Sequence, residues 1–212
     1  MLVHYLRQKF RDVIDAGRLE IVEGDILKID LASYGSSLRI VGNLPYYITS
    51  PILEKVFSIN VINPDQTASP PATSGWASAV FLVQAEVATR ITASPGTRDF
   101  GYLSVMCQVH AHTDLMFEVP AAAFHPPPKV ESAVVRLTPR DAVADFAIDD
   151  TPAFLRFAQT CFRHKRKTLR NNLLEVFPAE RLVGLKEGKL RAEQLGVAEL
   201  AELWRKLRGN QG

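Results

Sequence analysis

The sequence predicts an α/β protein: a mostly parallel sheet with helices, followed by a small all-helical domain. Three observations carry this. Short apolar runs of strand composition alternate with segments of helical period between residues 2 and 137. After Pro139 the character changes, with a polar, acidic stretch over 140–150 and a purely helical pattern beyond it. The 212 residues are 47% hydrophobic and 23% charged, enough for one ordinary domain plus a small second one and too apolar for a disordered chain.

The elements follow in order. Leu2, Leu6, Phe10, Val13 and Ile14 stand at helical spacing and predict an amphipathic helix over 2–16. Arg18–Val22 reads as a short strand ending at Glu23-Gly24-Asp25, and Leu38–Gly42 as a second strand ending at Asn43. Ser50 is a plausible helix cap, with Pro51 at the first helical position and Ile52, Val56 and Phe57 on one face. The Pro/Ser/Thr-rich stretch 63–75 has no apolar period and reads as a mobile loop. Ser78–Val83 is a third strand, Gln84–Thr92 a short helix, Pro95-Gly96 a turn and Tyr102–Val109 a further helix. Leu115–Val119 and Ser132–Leu137 are the last strands. Phe154, Ala158 and Cys161, then Leu169, Leu173 and Phe177, then Leu195, Leu200 and Leu203 mark the helical part. The boundary is expected near 142/143, giving domains 1–142 and 143–212.

Composition excludes several classes. No run of 18 apolar residues is present, so no membrane-spanning helix is expected. The opening MLVHYLRQKF lacks the basic and apolar regions of a secretory signal. Cys107 and Cys161 are too few for a disulfide framework or a four-cysteine zinc site, which fits a reducing cytoplasm. His110, His112, His125 and His164 show no metal-ligand spacing, and no metal is expected. The net charge of +2 hides an asymmetry. Residues 151–212 carry 13 Lys/Arg against 6 Asp/Glu, and the first 150 carry 12 against 17. A basic C-terminal part on a mildly acidic body suggests a polyanionic partner.

Four segments can carry chemistry. Asn43-Leu44-Pro45-Tyr46 follows a strand, and in open α/β sheets ligands sit beyond the carboxyl ends of strands. The Asn43 side-chain oxygen and the Leu44 carbonyl can accept both hydrogens of an exocyclic amine such as that of adenine. Pro45 holds Leu44 extended, and Tyr46 offers a ring on which a flipped base can stack. An ordinary strand-end turn has the same four residues, and alone they leave both readings open. Gly24-Asp25 closes the preceding strand; the carboxylate can accept from an adenine amino group, and Gly24 would let the backbone come close, although such pairs also make turns and caps. In Phe124-His125-Pro126-Pro127-Pro128-Lys129-Val130-Glu131-Ser132 the prolines can aim Phe124 at the mouth of the site, opposite Tyr46, although a proline-rich connection that buries one phenylalanine has the same residues. In Arg163-His164-Lys165-Arg166-Lys167-Thr168-Leu169-Arg170-Asn171-Asn172 the cations are expected to form one face of a helix and to suit a phosphate backbone, although a merely solvated basic helix has the same pattern.

Taken together, VGNLPYYITSPIL, QAEVATRITASPGTRDFGYLSVMCQ, FHPPPKVESAVVRL and FRHKRKTLRNNL resemble the KsgA-type small-subunit ribosomal RNA adenine N6,N6-dimethyltransferases, in family order and over nearly the whole chain. The resemblance implies a Rossmann-like S-adenosylmethionine-dependent methyltransferase domain with a small helical C-terminal domain. It implies dimethylation of two adjacent adenines near the 3′ end of 16S ribosomal RNA, a role in ribosome biogenesis, and a cytoplasmic monomer that meets the 30S particle. On the same resemblance Asn43, Leu44, Pro45 and Tyr46 are the catalytic motif, and Phe124 holds the target adenine. Gly24, Asp25 and Asn43 contact the cofactor. Arg163, Lys165, Arg166, Lys167 and Arg170 bind RNA. Two alternatives stay open: a non-catalytic ribosomal RNA-binding or assembly protein, and a large-subunit adenine methylase of the antibiotic-resistance type.

One departure stands out. The family opens with a strand, a glycine-rich loop that cradles the methionine end of the cofactor, and an acidic residue after the next strand. No Gly-x-Gly occurs in the 212 residues, and the chain begins at about the helix after that acidic position. The first two strands are therefore expected to be missing, through truncation or a late start codon. The chain as it stands is expected to be inactive and to bind S-adenosylmethionine weakly or not at all.

Overall fold

The computed structural model describes residues 1–59 and 75–209. The loop expected over 63–75 lies, Gly75 apart, outside the described residues.

The amphipathic N-terminal segment forms two helices, α1 (Leu2–Lys9) and α2 (Arg11–Asp15), rather than one. The break is at Phe10, with φ −110° and ψ 22°. Neither helix buries a residue, so no packed face holds them in line. The strand expected over Arg18–Val22 does not form. A strand needs a hydrogen-bonded neighbour; here a long contact from the Arg7 guanidinium to the Ile21 carbonyl, 3.4 Å, stands where a ladder would.

The sheet begins with a βαβ unit: β1 (Leu38–Asn43), α3 (Thr49–Ser58) and β2 (Trp76–Gln84). The crossover makes β1 and β2 parallel. Next come α4 (Ala85–Thr92), α5 (Tyr102–His110), β3 (Ala111–Val119) and β4 (Ser132–Pro139). The strand order is β1-β2-β4-β3, with β4 antiparallel to both neighbours. The sheet is therefore mixed, where a mostly parallel one was expected. The reason lies in the connection 120–131, which holds only a 3-10 turn at Ala121–Ala123 and no crossover helix, so the chain folds straight back.

Two groups of buried side chains form the interior. The first lies between the sheet and its helices. Ile52, Leu53, Val56 and Phe57 of α3 meet Trp76, Phe81, Val83, Met106 and Cys107. The second is built from the C-terminal helices α6 (Ala142–Phe146), α7 (Thr151–Phe162), α8 (Leu169–Leu173) and α9 (Val197–Gly209). Phe154, Phe157, Cys161, Leu169, Leu173, Leu200 and Trp204 gather there around Phe100, Val105 and Val109. Tyr102 and Leu155 touch both groups, so α5 is the shared wall. α7 starts where its sequence says it should: Asp150 accepts from the Ala153 N–H at 2.9 Å, and Pro152 occupies the first turn. Among the described residues no helix is long and apolar enough to cross a membrane.

Candidate functional site

Two of the four segments singled out above, Asn43–Tyr46 and the proline-rich loop, meet at one rim of the sheet. Because β1 and β2 are parallel and β4 runs the other way, the ends of β1 and β2 lie beside the start of β4: Asn43 pairs with Leu82, and Gln84 with Ser132. Gly42 sets the geometry of β1. A Cβ there would stand 3.0 Å from Leu44 Cδ2 and 3.3 Å from Phe81 Cδ1, so a side chain at this position would require those two side chains to give by a few tenths of an ångström. Asn43 then points out of the ladder, exposed and without a side-chain hydrogen bond among the described residues.

The residues after Asn43 are held firmly. The Leu44 N–H continues the pairing to the Leu82 carbonyl at 3.0 Å, and the Leu44 side chain is buried. Pro45 is extended, at φ −61° and ψ 127°. The Tyr46 hydroxyl shares a hydrogen bond of 2.9 Å with the Ser132 hydroxyl, and Ser132 is fully buried. One residue earlier, the Glu131 carbonyl accepts from the Ala85 N–H at 3.0 Å. The Asn-Leu-Pro-Tyr turn and the end of the proline-rich loop are thus joined. Phe124, which follows the 3-10 turn, is half-buried at the other end of that loop.

Asp25 lies on an exposed turn. One oxygen of its carboxylate accepts from the Leu27 N–H at 3.0 Å, and its carbonyl accepts from Lys28 and Ile29. Lys55 of α3 donates to the Leu27 carbonyl at 3.0 Å and ties this turn to the βαβ unit. Gly24 is not demanded by the chain itself, since a Cβ there would meet Ile29 Cδ1 at an ordinary 3.6 Å.

The basic segment differs from its expectation. Residues 163–168 form a bend and turn between α7 and α8, not a helix face. The cause is a competing set of hydrogen bonds. The Asn172 amide donates to the Cys161 carbonyl at 2.8 Å and the His164 carbonyl at 3.3 Å, and its oxygen accepts from the His164 N–H at 3.2 Å. Arg163 is paired with Glu175 at 2.7 Å. Lys165 donates to the Arg98 carbonyl at 2.7 Å, across the seam to the loop before α5. Arg166, Lys167 and Arg170 have no ion-pair partner among the described residues.

Two other titratable groups are set by burial. The thiols of Cys107 and Cys161 are pushed up by desolvation, so neither offers a thiolate. His110 stacks on Phe57, with ring centres 4.7 Å apart, and burial lowers its pKa to about 4.

Comparison with known proteins decides the family. The model of the ribosomal RNA adenine dimethylase family matches residues 1–206. The chain belongs to that family. Its relatives include the ribosomal RNA small subunit methyltransferase A of Acidobacterium capsulatum, 39% identical over 88% of this chain and 64% of the relative. The protein of the same description from Thiobacillus denitrificans is 42% identical over 86% of this chain and 66% of the relative. The chain thus spans just under two thirds of the length of these two relatives. A dimethyladenosine transferase from Plasmodium falciparum has the same fold, with a TM-score of 0.70 at 22% identity over 94% of this chain and 77% of that one. The 23S rRNA methyltransferase ErmE follows at a TM-score of 0.62 and 23% identity, over 98% of this chain and 78% of that one. The Rossmann-like methyltransferase fold expected from the sequence is therefore the fold of the family.

Sequence reading missed two residues of this arrangement. Ser132 reads as the end of the proline-rich segment and the start of a strand, and no local pattern announces that it will meet Tyr46, 86 positions away. Asn172 lay inside the basic stretch. Its one signal was its type, because asparagine is a poor helix former that bonds to nearby backbone instead.

Proposed function

We propose that this chain forms the catalytic rim and the RNA-binding part of an S-adenosylmethionine-dependent methyltransferase that dimethylates two adjacent adenines near the 3′ end of 16S ribosomal RNA, acting in the cytoplasm as a monomer on the 30S particle. The observation that carries it is Asn43, exposed and without a side-chain hydrogen bond among the described residues, on a rim held by the Leu44 and Tyr46 hydrogen bonds, in a chain that belongs to the adenine dimethylase family. Relatives about 40% identical are described as small-subunit enzymes, which favours that substrate over the large subunit.

The residues present fit part of the cofactor. Asp25 supplies a carboxylate with one oxygen uncommitted among the described residues, suited to an adenine amino group, and Asn43 supplies an amide at the strand end. Bound there, the cofactor supplies an electrophilic methyl group on a sulfonium. Its methionine end has no glycine-rich turn to meet in these 212 residues. Asn43 and the Leu44 carbonyl accept the two N6 hydrogens of the target adenine and orient its lone pair. Tyr46 and Phe124 stack the flipped base. We assign residues 1–142 to the cofactor and the base, and 143–212 to the RNA backbone, through the basic turn that Arg163 and Lys165 anchor and on which Arg166, Lys167 and Arg170 are left to meet phosphates.

The test is methyl transfer from labelled S-adenosylmethionine to unmethylated 30S particles, in a chain extended by the glycine-rich opening segment of a relative. Asn43→Ala should cost about 3 kcal/mol in the barrier, roughly a hundredfold in rate. Affinity for the particle should be unchanged. Near-normal turnover of the variant would exclude the role.

A further inference from the structure

Asn172 is 1% exposed and belongs to neither the proposed catalytic rim nor the proposed set of phosphate ligands. Its amide offers two donors and an acceptor in one planar group, and all are used on the stretch that leads into the basic turn. The donors hold the carbonyls of Cys161 and His164, and the acceptor holds the His164 N–H. The fork therefore joins the last turn of α7 to the second residue of the loop. Glu175 braces the outside through Arg163 at 2.7 Å and His164 at 3.0 Å, and Lys165 anchors the tip to the Arg98 carbonyl.

These contacts divide the cations of the segment into two kinds. Arg163 and Lys165 are spent on the protein itself, whereas Arg166, Lys167 and Arg170 are free among the described residues. Five like charges within eight residues repel one another, and a free loop of this composition would spread out. Binding a phosphate backbone would then require ordering the loop first, which subtracts from affinity.

We propose that Asn172 is a positioning residue for RNA binding: it fixes the backbone of the turn so that Arg166, Lys167 and Arg170 meet the phosphates as a preformed set. The proposal rests on the RNA-binding reading of this turn. An aspartate would keep the acceptor for His164 but set a carboxylate oxygen against the Cys161 and His164 carbonyls, and an alanine would lose all three bonds.

The experiment is binding of the full chain to 30S particles at several salt concentrations, below the melting range of every variant. Arg166→Ala/Lys167→Ala tests the RNA reading, and Asn172→Ala and Asn172→Asp test the positioning role. Asn172→Ala should weaken binding about tenfold because the turn must now be ordered on contact. It should also lower the salt slope by about one unit for each phosphate contact no longer made. Asn172→Asp should weaken binding at least as much, because it sets a buried carboxylate oxygen against the Cys161 and His164 carbonyls. A purely structural asparagine would lower the melting point and leave the slope alone. Amide exchange gives a second measure that does not depend on RNA: in either variant residues 163–167 should exchange faster while Phe154–Cys161 of α7 stay protected. If the arginine–lysine variant loses affinity and slope while both Asn172 variants keep the parent's, the positioning role is overturned and the RNA reading survives. Unchanged exchange at 163–167 also overturns it. If the arginine–lysine variant binds as the parent does, the RNA reading fails and takes the inference with it.

Discussion

The first 43 residues and the rest of the chain are built on different terms. No residue before Leu44 is buried, although α1, α2 and β1 are all formed there. Beyond Leu44 the two interior groups hold Trp76, Phe81, Phe100, Phe154 and Leu200 at almost no exposure. Helices satisfy their backbone groups locally, so α1 and α2 need no hydrogen-bonded neighbour, although at eight and five residues they are marginal without a core. A strand cannot satisfy its backbone locally, which is why Arg18–Val22 is irregular and why β1, on the rim of the sheet, depends on β2 alone for its pairing. The lightly packed region nevertheless carries Asp25 and Asn43, whereas the tightly packed one carries the basic turn.

The largest effect that would break this comparison is in the second interior group. Phe154 packs edge-on against Trp204, with ring centres 5.7 Å apart, and is fully buried. Phe154→Ala should cost about 3–5 kcal/mol in denaturant unfolding, and Leu6→Ala in α1 should cost well under about 1 kcal/mol. Equal losses would show that the N-terminal helices share the core after all.

Next comes His110. Its folded pKa is lowered to about 4 by burial, against the ordinary 6.5. Above pH 6.5 the ring is neutral in both states and its packing stabilises the fold in full. As pH falls from 6.5 towards 4 the unfolded chain takes up the proton first, so stability is lost across that window, by roughly 3 kcal/mol at most. His110→Phe should keep the stacking on Phe57 and remove this part of the pH dependence. Denaturant midpoints at pH 7.5 and pH 4.5 for both proteins would measure it. Parallel losses in the two would assign the acid sensitivity to other groups.

The smallest effect is at the rim. Tyr46→Phe keeps the ring and deletes the bond to Ser132, leaving a buried hydroxyl that must find another partner. The expected cost is about 1 kcal/mol, read by thermal unfolding. A neutral result would mean that backbone pairing alone, through Leu44 and Ala85, holds the two loops together.

Much of the site was legible because its parts are local. Asn43-Leu44-Pro45-Tyr46 announces itself by composition after a strand, and α7 by Asp150 and Pro152. Ser132 was not legible, because its role comes from a pairing between residues far apart in sequence. The basic segment has a helical periodicity and yet forms a turn, because the Asn172 amide outcompetes the helix there.

By itself the sequence determined the family, the order of helices and strands beyond residue 38, and which side chains carry charge or chemistry, since all of these are written in short-range patterns. Tertiary structure alone decided that β4 slots between β2 and β3, that Arg18–Val22 stays irregular, and that Arg163 and Lys165 are bound to protein while Arg166, Lys167 and Arg170 have no ion-pair partner among the described residues. The physical reason is common to all three. A hydrogen-bonding group or a charge is defined by the partner that reaches it, and that partner is chosen by how the chain packs, not by its neighbours in sequence.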